Sequence, residues 1–381
     1  MMLFSTSQDE LFLIIDVQSS IVRGTLVQVR PSALPLVLFT HNVEIPYKTH
    51  AHSDYLIKMA MKAVSETLDQ AARHVHTRSA LEPIPKKISS IHYVLSSPWI
   101  VSQAKTLSLS FTEDTPISRA YIMGMIWEER KKMSASSEDV SVIEEKVFDV
   151  RLNGYSVSSW ESRRTRLLDV SFVVSVAGTR MIDKFVHACD HLVHKQKVFF
   201  HSSLFLQHIG IEKIIPDSST YALIHIHGEL TDIAIIHAQS CTFFGSYPFG
   251  IHSIVRTIAR ETKINDTSAD SLLSMATQGQ LDVAHATKEL SIIDDMNKGW
   301  IGEFRKLLKT SSALASLPHH IIISAHSHED FFLNSFKQAY PESFLELLSI
   351  DRILPLVAFD VHADRVRLTG LYVIAIHTLY K

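Results

Sequence analysis

Residues 221–236, YALIHIHGELTDIAII, constrain the fold more than any other stretch: two apolar runs of strand length flank a bend at Gly228. Alternating Ile, Leu and Ala suit a sheet with both faces partly buried. Gly228 supplies backbone freedom at the bend, and Asp232 lies near the start of the second run. Residues 11–29, LFLIIDVQSSIVRGTLVQV, repeat that grammar. An apolar strand ends at Asp16, a polar turn of Gln18, Ser19 and Ser20 follows, and a second apolar strand leaves. At 381 residues the chain is too long for one simple core, which predicts two or more lobes.

Composition narrows the class. Lys and Arg number 37 against 40 Asp and Glu, a formal charge of −3, so no basic excess points to nucleic acid. Apolar residues at 46% supply ample material for several cores. The two cysteines, Cys189 and Cys241, stand in unrelated contexts, the pattern of a reduced, intracellular protein. The first ten residues, MMLFSTSQDE, lack the basic stretch and apolar core of a signal peptide. No apolar run approaches the ~20 residues that cross a bilayer. The expectation is a cytoplasmic protein without direct membrane insertion.

Along the chain, residues 11–46 read as three strands. Leu56, Met59, Ala60, Ala63, Val64 and Leu68 at helical spacing predict a helix over 53–75. Prolines on either side of Ile84 mark a boundary. Strands at IHYVLSS and TLSLSF, a helix over 117–133 and a hairpin turning at Asn153-Gly154 then form a strand–helix–strand–strand unit. LLDVSFVVSV returns as a buried strand, 180–193 as a helix, and 265–315 as mostly helical chain.

The paired hairpins, each with an acid beside its bend, resemble the two phosphate loops of the actin-like ATPase superfamily, in particular its FtsA and PilM branches. There the first loop reads Asp-Ile-Gly-Ser-Ser, with a basic residue three or four places on. Asp16, Ser19, Ser20 and Arg23 stand at matching positions, and Gln18 replaces the glycine. The second loop of those families reads Asp-x-Gly-Gly-Gly-Thr-x-Asp; the same register here gives His225, His227, Gly228, Glu229, Leu230 and Asp232. The unit around 91–165 resembles the small inserted subdomain, SHS2 or 1C, of FtsA and PilM. The resemblance implies an α/β, actin-like (ribonuclease H-like) two-lobed fold. Residues 8–88 and 166–217 would form the first lobe (1A), with 89–165 the insert. Residues 218–264 and 316–350 would form the second lobe (2A), 265–315 its outer subdomain (2B), and 351–381 a closing segment with a C-terminal helix.

That resemblance carries a nucleotide site in outline only. Phosphate loops are Gly-rich because their backbone must approach phosphate oxygens closely, and hydrolysis needs carboxylates around hydrated Mg²⁺. Asp16, Ser19, Ser20, Arg23, Gly228 and Asp232 remain as cofactor-binding remnants. Against ATP and Mg²⁺, His225 takes the place of an acid, and Gln18, His227 and Glu229 put side chains where glycines gave room. Glu229 would also set negative charge beside phosphate. Ala325 and His326 replace the Gly-Gly of the adenosine loop, and Gln207 alone matches the acidic or amide residue of the first interlobe helix. No catalytic residue is assigned, and no cofactor is expected. Among 22 histidines, the fold would bring His225 and His227 near His326 and His328, a candidate set for a metal or an anion. Satisfied histidines are the alternative. His187, His191 and His194 have the spacing of one helix face, as a metal set or as an ordinary amphipathic helix.

Function follows from the resemblance. The terminal run 371–380 has neither a linker before it nor a basic amphipathic face, so it reads as core rather than as the membrane-targeting helix of FtsA. That favours the PilM branch, in which a groove between the first subdomain and the insert receives a short peptide of the partner PilN. The expectation is a non-catalytic scaffold binding the cytoplasmic tail of an inner-membrane type IV pilus or secretion protein, held at the membrane's inner face through that partner. The alternative is an FtsA-like division protein that self-associates into polymers and recruits division proteins, with weak ATP binding. An active ATPase or kinase is a third reading, because one fold hosts many functions.

Overall fold

The computed structural model describes residues 9–46, 53–134, 139–216, 219–238, 240–282, 286–310, 317–361 and 363–380. The first hairpin joins β1 (Glu10–Val17) to β2 (Ile21–Val29), and β3 (Leu36–Glu44) continues antiparallel to β2. Helix α1 (Ser53–Ser79) crosses over to β4 (Ser90–Leu95), which returns parallel to β1. The chain then leaves this sheet through β5 (Ile100–Pro116), α2 (Arg119–Ser134), β6 (Val140–Leu152), β7 (Tyr155–Ser156) and β8 (Arg164–Gly178). Helix α3 (Thr179–Ala188) and β9 (Val198–Ser202) bring it back beside β4.

Helix α4 (Ser203–Ile214) leads into the second lobe: β10 (Tyr221–Ile226), β11 (Thr231–His237), β12 (Ser240–Tyr247), then α5 (Ile251–Thr262), α6 (Asp266–Thr277) and α7 (Thr287–Thr310). Strand β13 (His320–Ala325), α8 (Glu329–Ala339) and β14 (Phe344–Leu347) complete that sheet. The short β15 (Ala358–Phe359) pairs with β3, and α9 (Arg367–Tyr380) closes the described chain.

The two large sheets share one plan. Their orders are β15-β3-β2-β1-β4-β9 and β12-β11-β10-β13-β14. In each, an antiparallel hairpin has a third antiparallel strand on one side and two parallel strands on the other. Continuous apolar runs give strands covered on both faces. In β1, Leu11, Leu13 and Ile15 pack toward Val64 and Leu68 of α1, while Phe12 and Ile14 face Phe205 of α4 and Tyr372 of α9. In β10, Ala222 and Ile224 face the second lobe's own helices, and Tyr221 and Leu223 meet Leu204, Ile211 and Leu371. Helices α4 and α9 therefore form a shared layer between the lobes. They cross tightly at Gly210, where a Cβ would stand 2.8 Å from the Leu371 carbonyl oxygen.

The insert is a four-stranded sheet in the order β5-β8-β6-β7. Ile122 and Ile126 of α2 cover one face, against Val170, Phe172 and Val174. The opposite face carries hydroxyl pairs, Ser102 with Ser175 at 2.8 Å and Thr106 with Ser171 at 2.9 Å. The elements of this sheet run from 100 to 178, a later and wider span than 89–165. Residues 90–95 pair with β1 in the first sheet, and 164–178 form a central strand of the insert. Helix α3 ends at Ala188, so His187, His191 and His194 do not share a helix face. His187 Nδ1 instead lies 2.8 Å from Asp190, and His194 caps the turn at Lys195–Lys197. Among the described residues no helix is long and apolar enough to cross a membrane.

Candidate functional site

The two hairpin bends touch. A Cβ at Gly228 would lie 2.0 Å from Ser20 Oγ and 2.3 Å from Ser20 Cβ, so only glycine admits this approach. Beside it, the Glu229 backbone N–H donates to Ser19 Oγ at 3.0 Å, and Ser19 Oγ lies 2.9 Å from His227 Nδ1. The Ser19 hydroxyl, with one donor and two acceptor sites, thus bridges the Glu229 N–H and the His227 ring. The other ring nitrogen, Nε2, faces Asp232 Oδ2 at 3.2 Å. The Ser97 backbone N–H reaches the same oxygen at 3.2 Å. Ser19, His227 and Asp232 are all buried.

These three side chains have the composition of a nucleophilic triad, yet Ser19 lines none of the three cavities around the seam. A nucleophile needs a path to substrate as well as a base. The arrangement ties the lobes together.

The first hairpin has its own closed circuit. Asp16 stands opposite Arg23 in register, and Gln18 Nε2 donates to Asp16 Oδ2 at 2.8 Å. Arg23 Nη1 is 3.9 Å from that oxygen, its Nε donates to Asn42 at 2.8 Å, and its Nη2 lies 3.2 Å from His326 Nδ1 across the seam. Burial pushes the Asp16 carboxyl up to about 6, with Arg23 and Gln18 opposing it. The Trp99 indole, at the entry to the insert, donates to the Gln18 carbonyl at 2.8 Å. The resemblance placed Gln18 where a glycine leaves room for phosphate. Its amide instead holds the acid it stands beside.

Glu229 is turned away from the seam toward α5. Arg256 grips it bidentately at 2.8 and 2.6 Å, and His252 lies 3.4 Å away. Desolvation raises this carboxyl, but His252 and Arg256 overcome it and hold it at about 2. The first N–H groups of α5 are spent on the hairpin: Ile251 donates to the His227 carbonyl at 3.2 Å and His252 to the Gly228 carbonyl at 2.8 Å. A helix N-terminus is an anion site only while those groups are free. Arg256, Asn42, Ser97 and Trp99 had no motif to announce them, since each reaches the seam through tertiary packing.

The four candidate histidines do not converge. His225 and His227 stack at 5.3 Å, His326 bonds Arg23, and His328 turns to Asp270 of α6 at 2.6 Å. Among the described residues no three His, Cys, Asp or Glu side chains come together as a metal-ligand set. Burial and the neighbouring His227 push His225 down to about 3, so its ring is neutral, and neither nitrogen makes a well-formed hydrogen bond. Gln207 is buried in α4 and donates to Ser203 Oγ at 3.0 Å; Ser203 in turn bonds the Tyr372 hydroxyl at 2.7 Å.

What space remains is divided. His326 lines two cavities, one of about 220 Å³ that also includes Gln18, Arg23 and His225, and one of about 540 Å³ toward Glu44 and α6. A third, of about 240 Å³, opens on the side of the insert between Leu95, Ile100, Val101, Leu204 and Phe244, with Asp232 in its wall.

Two lobes of one plan, with a helix pair packed between them and their hairpin bends facing each other, define the actin-like ATPase fold. Among solved structures, the chain is similar to one from the PilM–PilN type IV pilus biogenesis complex, at 12% identity over 96% of both chains, with a TM-score of 0.58. It is also similar, more distantly, to the ethanolamine utilization protein EutJ from Carboxydothermus hydrogenoformans (10% identity, 97% and 91% of the two chains, TM-score 0.43) and to apo psk41 ParM (8%, 97% and 98%, TM-score 0.40). No protein-family model and no curated protein matches the sequence.

Proposed function

We propose that this chain is a non-catalytic scaffold in which the actin-like frame holds a protein partner rather than a nucleotide. One observation carries the reading: Ser20 packs on Gly228 and Ser19 bonds the opposite hairpin, in the space that phosphates need in this superfamily. Asp16, Ser19, Ser20, Arg23, Gly228 and Asp232 are then seam residues, reused from a phosphate site to join the lobes. The PilM–PilN likeness supports the choice of partner. That partner is a membrane-anchored assembly protein, whose short cytoplasmic tail enters the groove between the insert and the first lobe. The scaffold so recruited lies at the inner face of the membrane.

A photo-crosslinking amino acid at Val101, which is 57% exposed on the rim of the cavity where the insert meets both lobes, tests this in the native cell. The expected adduct is to the cytoplasmic tail of a single-span membrane protein. Adducts to other copies of this chain alone would replace the scaffold reading with the polymerising one.

A further inference from the structure

We propose that Asp232 is the recognition point of the groove beside the insert, receiving the ammonium or guanidinium of a basic side chain on an extended partner peptide. This rests on the scaffold reading and adds the chemistry of the occupant.

Asp232 is 3% exposed and lines the cavity of about 240 Å³. Its Oδ2 is oriented by the Ser97 N–H and by His227, while its Oδ1 has no hydrogen-bond partner. Among the described residues, the one cationic-type side chain within ion-pair distance is His227. The carboxyl is held below its usual range, because His227 and the Ser97 N–H outweigh a desolvation that would raise it. A buried carboxylate with one oxygen unmatched is costly, and a charge-assisted donor entering the cavity removes that cost.

The walls select what carries the donor. Leu95, Ile100, Val101, Leu204 and Phe244 are apolar, a lining that suits the methylene stem of Lys or Arg. Two edge strands border the opening: β12, the edge of the second lobe's sheet, and β5, the edge of the insert. Charge and apolar walls together fit one basic side chain of a partner peptide, at a rim where β5 and β12 pack against each other. In the nucleotide-dependent members of the superfamily this loop position is a phosphate-site acid; here it faces the partner's side of the molecule.

The test uses the full chain and immobilised, acetylated octapeptides of varied small and apolar residues. Each carries Lys, Arg, norleucine, citrulline or Glu at one central position, and binding of retained peptides is measured by fluorescence anisotropy. Lys and Arg peptides should be retained, and their norleucine and citrulline counterparts should bind at least ~tenfold more weakly. Asp232→Asn should erase that preference. The neutral peptide pairs make the result independent of how well the variant folds. Equal binding of neutral and basic peptides, or a folded Asp232→Asn chain that keeps the preference, overturns this inference and leaves the groove standing. If no peptide of any kind is retained, the groove reading falls together with it.

Discussion

The two hairpins are built in the same register but carry their charge on opposite strands. Asp16 lies on the first strand of its hairpin, opposite Arg23; Asp232 lies on the second strand of its hairpin, opposite His225. Their surroundings then push them apart. Asp16 is lifted to about 6 because desolvation outweighs an Arg23 guanidinium 3.9 Å away, whereas Asp232 is pulled down by His227 and the Ser97 N–H. A duplicated backbone fixes where an acid stands; the groups packed around it decide whether the acid is charged.

Acid offers the largest perturbation of that contrast. Burial pushes His201 down to about 3 and His208 to about 4, and His92 well below its usual range, as it does His225. A histidine lowered in the folded state contributes stability above its unfolded value near 6.5 and loses it as pH falls toward the folded value. Each should cost about 1.4 kcal/mol per pH unit in that window. Urea midpoints should therefore drop steeply from pH 6.5 to 4.5, and His225→Phe should remove that ring's share, leaving the share of His326, which burial pushes down to about 4. A flat profile would mean these rings are not neutral in the fold.

Next in size is the contact between the bends. Gly228→Ala should destabilise by about 1–3 kcal/mol through overpacking, and Ser20→Gly in the same chain should restore most of the loss. If the double variant is no better than the single one, Ser20 is not what Gly228 accommodates.

Opposite pH slopes sharpen the comparison of the acids. Asp16, raised in the fold, contributes below about 3.8 and loses that contribution as pH rises through 6, so Asp16→Asn should gain on the parent chain over that interval. Asp232, lowered in the fold, contributes above its unfolded value and loses it on acidification. Asp232→Asn should cost about 1–3 kcal/mol at neutral pH and progressively less toward pH 3. Thermal scans of both variants at several pH values would show slopes of the same sign if their environments were alike.

The smallest effect expected is from nucleotide. Calorimetry with Mg-ATP should give no binding heat at ~1 mM, a ligand level whose standard free energy is about −4 kcal/mol. Tight binding that weakens on Asp16→Ala would reverse the scaffold reading.

The frame was legible because its hairpins announce themselves locally: apolar strand, polar bend, apolar strand, with an acid at the bend. The limits of the insert were not. Residues 167–176 read as a lobe strand, but their apolar side, Val170, Phe172 and Val174, is covered by α2 of the insert, while Ser171 and Ser175 pair with β5 hydroxyls on the other face; alternation marks a strand without saying which sheet it joins. Residues 90–95 read as the insert's first strand, although their parallel partner β1 lies far earlier in the chain. The seam was legible as a loss of glycines, while its new bonds were not. Ser19 meets His227, and Arg23 meets His326, only after both lobes have folded.

The Trp99 indole, on the residue just before β5 begins, hydrogen-bonds the carbonyl of Gln18. The entry to the insert is thereby bonded to the first hairpin's turn, and that turn is bonded through Ser19 to the far lobe. A displacement of the insert is therefore coupled, through two hydrogen-bonded steps, to the bend where the two halves clasp.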